Sequence, residues 1–141
     1  MMKPEPVRIF SDDPHLNCEF CGKNLLEGSN LGNYIVFKSS DDNYAAIRYA
    51  CKEHDSNVTD NANQEDLKDD GWDDVDDMLL PTIWIKKLMA FMNELYTSRD
   101  KVSAQYFDDV KKLFLNTFPY IARDMSKEEI DRVRKIFSFE F

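Results

Sequence analysis

The chain has 141 residues, 43% of them hydrophobic and 13% aromatic, with a formal net charge of −9. That length suits one domain with one sizeable core, and the composition excludes a wholly disordered chain. No run of 18 apolar residues exists and the N-terminal MMKPEPVRIFSDD lacks the apolar stretch of a secretory signal, so a soluble, cytoplasmic protein is expected.

In chain order, VRIF at 7–10 is a short strand candidate, followed by the turn-rich SDDPH. Next comes NCEFCGKN, in which Cys18 and Cys21 stand three positions apart and Gly22 can take the tight backbone of a knuckle. NYIVFKS and NYAAIRYA are rich in β-branched and aromatic residues and are separated by SDDN. They predict two antiparallel strands over 34–38 and 44–50 joined by a hairpin turn. Cys51 and His54 repeat the x2 spacing directly after the hairpin.

The two pairs use every cysteine in the chain and one of its two histidines. Three soft thiolates and an imidazole suit tetrahedral zinc, and the hairpin between the pairs returns the second to the first. Cys18, Cys21, Cys51 and His54 are therefore the expected ligands, with His15 a polar loop residue beside Pro14. Four protein ligands leave no position for water, so a structural rather than catalytic zinc is expected. Thioredoxin-type use of Cys18 and Cys21 would need a surrounding βαβ pattern, which the sequence lacks.

CEFCGKNL, the hairpin and ACKEHD together resemble the treble-clef and zinc-ribbon group of zinc fingers. The resemblance covers about a quarter of the chain, to about Asp55, and implies the same four ligands. A treble clef would open a helix at its last ligand pair. KEHDSNVTDN reads as a poor helix, which leaves a ribbon-like second knuckle open.

Residues 55–77 contain ten acids and one base, Lys68, so the whole net charge of the protein lies in this segment. Its match to an EF-hand loop is partial, because Lys68 sits where an oxygen ligand belongs. Trp72, Val75, Met78, Leu79 and Leu80 are interleaved with the carboxylates. Apolar anchors flanked by charge are what a segment that binds a basic partner uses, and Asp69, Asp70, Trp72, Asp73, Asp74, Asp76 and Asp77 are the candidate contacts. A solvated loop, with Trp72 tucked onto the core, is the other reading.

The tail carries helical period. Trp84, Ile85, Leu88, Phe91, Met92, Leu95 and Tyr96 form one apolar stripe after Pro81, and Tyr106, Phe107, Val110, Leu113, Phe114 and Phe118 a second, ended or kinked by Pro119. A third helix is predicted from Ser126, with Glu129 completing a capping box and Ile130, Val133, Ile136 and Phe137 on one face. The stripes either pack as core or leave a face for a homodimer, and the apolar ending IFSFEF calls for a docking place.

The expected class is α+β: a zinc-stapled, β-rich module over 1–54, an acidic connector over 55–80 and a helical region of about three helices over 81–141. No nucleophile elbow, phosphate loop or HExxH is present, so no enzymatic activity is expected. The expected function is a non-catalytic binding module, an acidic inhibitor of the immunity or anti-defence type, whose partner is a basic protein that handles nucleic acid. The alternative is a zinc-finger regulator touching nucleic acid through the N-terminal module. Residues 1–54 carry six bases against eight acids, a poor footprint for phosphate. No membrane contact is expected.

Overall fold

The computed structural model describes residues 13–28, 30–121, 126–129, 131, 132 and 135. It is an α+β fold built on a three-stranded antiparallel sheet. The predicted hairpin forms strands β1 (Gly32–Ser39) and β2 (Tyr44–Cys51), one or two residues longer at their ends than the β-branched runs alone indicate. Asp42 takes the turn at φ 65°, a conformation Asp tolerates.

Two elements differ from expectation. Helix α1 (Asp55–Gln64) starts directly after His54, where the sequence reads as a poor helix. Val58 and Ala62, one turn apart, are fully buried against Ile35, Phe37 and Ala50, and that burial outweighs weak propensity. Arg48 on β2 clasps Glu65 at the end of the helix with two hydrogen bonds of 2.6 and 3.1 Å. The acidic stretch then forms strand β3 (Leu67–Asp74), which pairs with β1 to give the order β2-β1-β3. Extended backbone spreads its aspartates along the strand instead of wrapping them around one ion, so the EF-hand match has no loop to act through.

Side chains alternate across β1 and divide the core. Ile35 and Phe37 face α1, while Tyr34 and Val36 face helices α2 (Pro81–Thr97) and α3 (Ala104–Ile121). Phe91 of α2 meets the Tyr34 ring at 6.3 Å, and Tyr106 of α3 meets Tyr44 at 5.0 Å. A 3-10 turn (Asp76–Leu79) buries Val75 and Met78 beneath the helices.

Only part of the first helical stripe is core. Trp84, Leu88, Phe91 and Leu95 point inward, whereas Ile85, Met92 and Tyr96 are exposed with Met89, because a narrow sheet shared with α3 covers a single row of positions. On α3, Phe107 is likewise exposed and Thr117 is buried in its stead. Pro119 lies inside α3, within two residues of its end, so the hydrogen bond it cannot donate is lost only from the last turn and the helix stops soon after. Residues 127–129 are helical, and the Glu129 N–H donates to Ser126 Oγ at 3.1 Å, half of the expected capping box. The strand candidate at 7–10, the side chains of Ile130 and Val133, and residues 136–141 lie outside the described residues.

Candidate metal centre

The first ligand pair sits on a knuckle closed by an isolated bridge between Asn17 and Asn24. Cys18 donates its N–H to the Lys23 carbonyl, and the Gly22 N–H returns to the Cys18 carbonyl, both at 2.8 Å. Gly22 holds φ +82°, the left-handed conformation expected of it. The Glu19 N–H, donating to the Tyr49 carbonyl at 2.8 Å, ties the knuckle to β2. Asn24 stitches the base: its Oδ1 accepts from the N–H groups of Leu16 and Leu26, each at 3.1 Å.

The second pair is carried by regular structure. Cys51 is the last residue of β2, and His54 is the cap from which α1 starts, its carbonyl accepting the Val58 N–H at 3.0 Å. Ligand atoms of Cys18, Cys21, Cys51 and His54 all lie within 4.8 Å of one another, a group that can hold a metal ion. Cys21 Sγ and Cys51 Sγ are 3.7 Å apart. Sulfurs bound tetrahedrally at about 2.3 Å would be separated by about 3.75 Å. His54 Nδ1 lies 3.0 Å from Cys51 Sγ.

The three thiols have unequal surroundings. Cys18 is buried, which opposes ionisation, yet backbone N–H groups of Cys51, Cys21 and Phe20 converge on it and bring its pKa down to about 6. Burial and the two neighbouring sulfurs push Cys51 up. Cys21 is exposed. A bound divalent cation would hold all three as thiolates, leaving the site one negative charge.

Phe20, between the two knuckle cysteines, covers the His54 ring at 4.6 Å between centroids, a contact that sequence reading missed. The aromatic in Cys-Glu-Phe-Cys was its available signal. His15 stands apart from the cluster, its Nδ1 2.8 Å from the Asp13 carbonyl.

Five of the candidate partner contacts, Asp69 to Asp74, share strand β3 but not one face, and Asp76 and Asp77 lie in the 3-10 turn that follows. Trp72 lies opposite Ile35 and Asp74 opposite Asn33, toward α1, whereas Asp73 lies opposite Tyr34, toward α2. Several of the acids are ion-paired: Asp70 with Lys38, Asp73 with Lys87 and Asp74 with Lys52. Asp69, Asp76 and Asp77 make no ion pair among the described residues. Trp72 is 59% exposed, with the Lys52 ammonium over its ring. Tyr34 is core, and Arg48 and Lys52 are committed to Glu65 and Asp74.

No known protein-family model, curated protein or solved structure matches the chain. Among the described residues, no helix is long and apolar enough to cross a membrane.

Proposed function

We propose that the Cys18, Cys21, Cys51 and His54 cluster holds a structural zinc and that the protein is a non-catalytic, zinc-stabilised binding module. Its acidic edge docks on a basic surface of another protein. The donor set supports zinc, because three thiolates and one imidazole match its preferences and fill its coordination shell, and the 3.7 Å between Cys21 Sγ and Cys51 Sγ is that of a tetrahedral pair. A knuckle, a hairpin and a ligand pair that opens a helix are the parts of the treble clef, which we favour over the ribbon.

One observation carries the binding role: Trp72 stands exposed on an edge strand among carboxylates. Around that strand, Asp42, six aspartates between 69 and 77, and Glu94 outnumber Lys38, Lys52, Lys68 and Lys87 by four charges. Such a field steers a basic partner, and its effect weakens with salt. Within this reading the protein is an inhibitor of immunity or anti-defence type, competing for a surface where phosphate binds. Docking on nucleic acid draws no support from Arg48, Lys38 or Lys52, each engaged by a carboxylate.

The test has two arms. Metal analysis of purified protein should return one zinc per chain, and none for Cys51→Ser. In a salt-stepped pull-down from the host, a basic protein should be retained at low salt and lost with Asp69→Asn, Asp76→Asn and Asp77→Asn combined, three changes that spare the ion pairs. Partner binding indifferent to those changes and to salt would sink the acidic-inhibitor reading.

A further inference from the structure

The two edges of the sheet are treated differently. The outer edge of β2 is occupied by the chain itself. Tyr44 bridges to Val102 and accepts the Ser103 N–H at 3.0 Å, Ser103 Oγ donates to the Ala45 carbonyl at 3.0 Å, and Asp109 accepts the Ile47 N–H at 2.9 Å. Among the described residues, the outer edge of β3 has no such cover. Among the described residues, the one hydrogen bond its backbone makes to a side chain is from the Asp74 N–H to the neighbouring Asp73 carboxylate, at 3.3 Å. An uncovered strand edge is a template for another strand, and charge along it decides which strands are admitted. The acids of β3 repel a second copy of the same edge.

A cleft opens on each side of this edge. Toward α2 lies a groove of about 220 Å³, floored by Val36 and Phe91 and walled by Ala90 and the Lys87–Asp73 ion pair, with Asp70 and Glu94 beside it. Its opening is where Gly71, at φ +151° beside the bulge in the β1–β3 ladder, carries no side chain. Toward α1 lies a cleft of about 280 Å³ whose walls include Ile35, Asp55, Asp60 and Asp69. Trp72 borders both. Each is smaller than the roughly 300–1,000 Å³ of small-molecule sites, and each is large enough for one long side chain.

We propose that β3 is a docking edge for an extended, lysine- and arginine-rich segment of a partner protein, which adds to the sheet as a fourth strand. Side chains of a strand alternate between its faces, so consecutive residues of one segment reach the two clefts, which a partner docked on one face cannot do. In the groove toward α2, the aliphatic stem of a basic side chain covers Val36 and Phe91 while its head meets Asp70 and Glu94. In the cleft toward α1, the next side chain finds Asp60 and Asp69 beside the Trp72 ring. This deepens the binding role proposed above and rests on it.

The test uses the zinc-loaded full chain, labelled with nitrogen-15, and an acetylated, amidated octapeptide in which Lys-Arg pairs alternate with Val-Thr pairs, so that neighbouring basic side chains point to opposite faces. A peptide with Glu at the basic positions is the control. Binding of the basic peptide should slow hydrogen exchange of outward-facing amides within 67–74 at least tenfold. Ala90→Trp, a change at an exposed position that fills the groove, should weaken it at least tenfold while circular dichroism stays unchanged. Equal binding by Ala90→Trp, or binding that slows no amide of β3, would overturn the docking edge. If the host partner is then still lost with the three aspartate changes, the acidic-face role survives without it. If the partner ignores those changes, that role fails whatever the peptide does.

Discussion

Trp84 on α2 donates its indole N–H to Thr117 Oγ1 on α3 at 2.8 Å, and the Thr117 hydroxyl passes its own proton to the Leu113 carbonyl at 2.8 Å. This short relay is one of two polar contacts between these helices among the described residues; the Tyr106 hydroxyl donates to Glu94 at 2.6 Å, and rings add to both, Trp84 packing on Phe114 at 5.4 Å and on Phe118 at 5.5 Å. Thr117→Val keeps the volume and strands the indole N–H. The expected loss is about 1–3 kcal/mol, the cost of a buried donor without a partner, read by chemical denaturation. Thr117→Ser should retain most of the stability, and equal loss from both would show that the methyl, not the hydroxyl, matters.

Tyr49 presents the opposite case. Its hydroxyl is buried with no hydrogen-bond partner among the described residues, and burial, helped by Asp109, holds its pKa well above the usual phenol range. Tyr49→Phe removes an unsatisfied group and leaves the ring in the core, so stability should hold or rise by up to about 1 kcal/mol. A fall of more than 1 kcal/mol in the denaturation midpoint analysis would mean that ordered water satisfies the hydroxyl.

Gly32 positions the metal knuckle. A Cβ built there would stand 2.6 Å from both the Ala50 carbonyl oxygen and Leu25 Cδ2, and Gly32 lies opposite Cys51 in the ladder. Backbone on one side and the buried Leu25 of the knuckle on the other leave no room to yield. Gly32→Ala is expected to cost about 1–3 kcal/mol through overpacking. It should also speed transfer of the proposed zinc to a chelator, because Leu25 must move. Unchanged transfer kinetics would separate Gly32 from the site.

The four-residue cluster was legible because x2 pairing of rare residue types is a strong local signal, and the hairpin because β-branched runs flanked Asp and Asn. Helix α1 was not legible: what holds it is the burial of Val58 and Ala62 on a sheet face that the local sequence does not describe. Strand β3 was hidden by its own aspartates, poor strand formers, three of which are paired by Lys38, Lys52 and Lys87 from elsewhere in the chain. Periodicity found the helices yet overestimated their inner faces, since period alone cannot say how wide the neighbouring surface is.

Acid crowding at the start of the 3-10 turn has a measurable sign. Burial first, then the charges of Asp74 and Asp77, raise the pKa of Asp76 above 3.8. A raised carboxyl disfavours the folded state wherever it is ionised, so the penalty is present above the folded pKa and absent below 3.8. Asp76→Asn should therefore stabilise at pH 7 and lose its advantage near pH 3. Because Asp76 is exposed and its field screened, the gain should not exceed about 0.5 kcal/mol. A larger advantage at pH 3 than at pH 7 would reverse the assignment.

Removal of the proposed zinc should unravel the knuckle before the core. The ligands join the segment around Cys18 and Cys21 to the end of β2, whereas Phe91, Tyr106 and Leu113 are buried among apolar neighbours of the sheet and helices. Without the cation the cysteines take up protons and the coordination bonds that join the two segments are lost, so chelation removes that stabilisation from the folded knuckle directly. Under excess chelator, amides of Cys18, Gly22 and Leu25, which hold the knuckle through 2.8 Å hydrogen bonds, should exchange faster by tenfold or more. Core amides of α3 should change far less. Cys51→Ser should reproduce this pattern without chelator, and His54→Cys should escape it, because four thiolates also satisfy tetrahedral zinc. Global unfolding on chelation would instead make the metal a condition of the whole fold, and exchange unchanged throughout would remove the ion from the structure's account of its own stability.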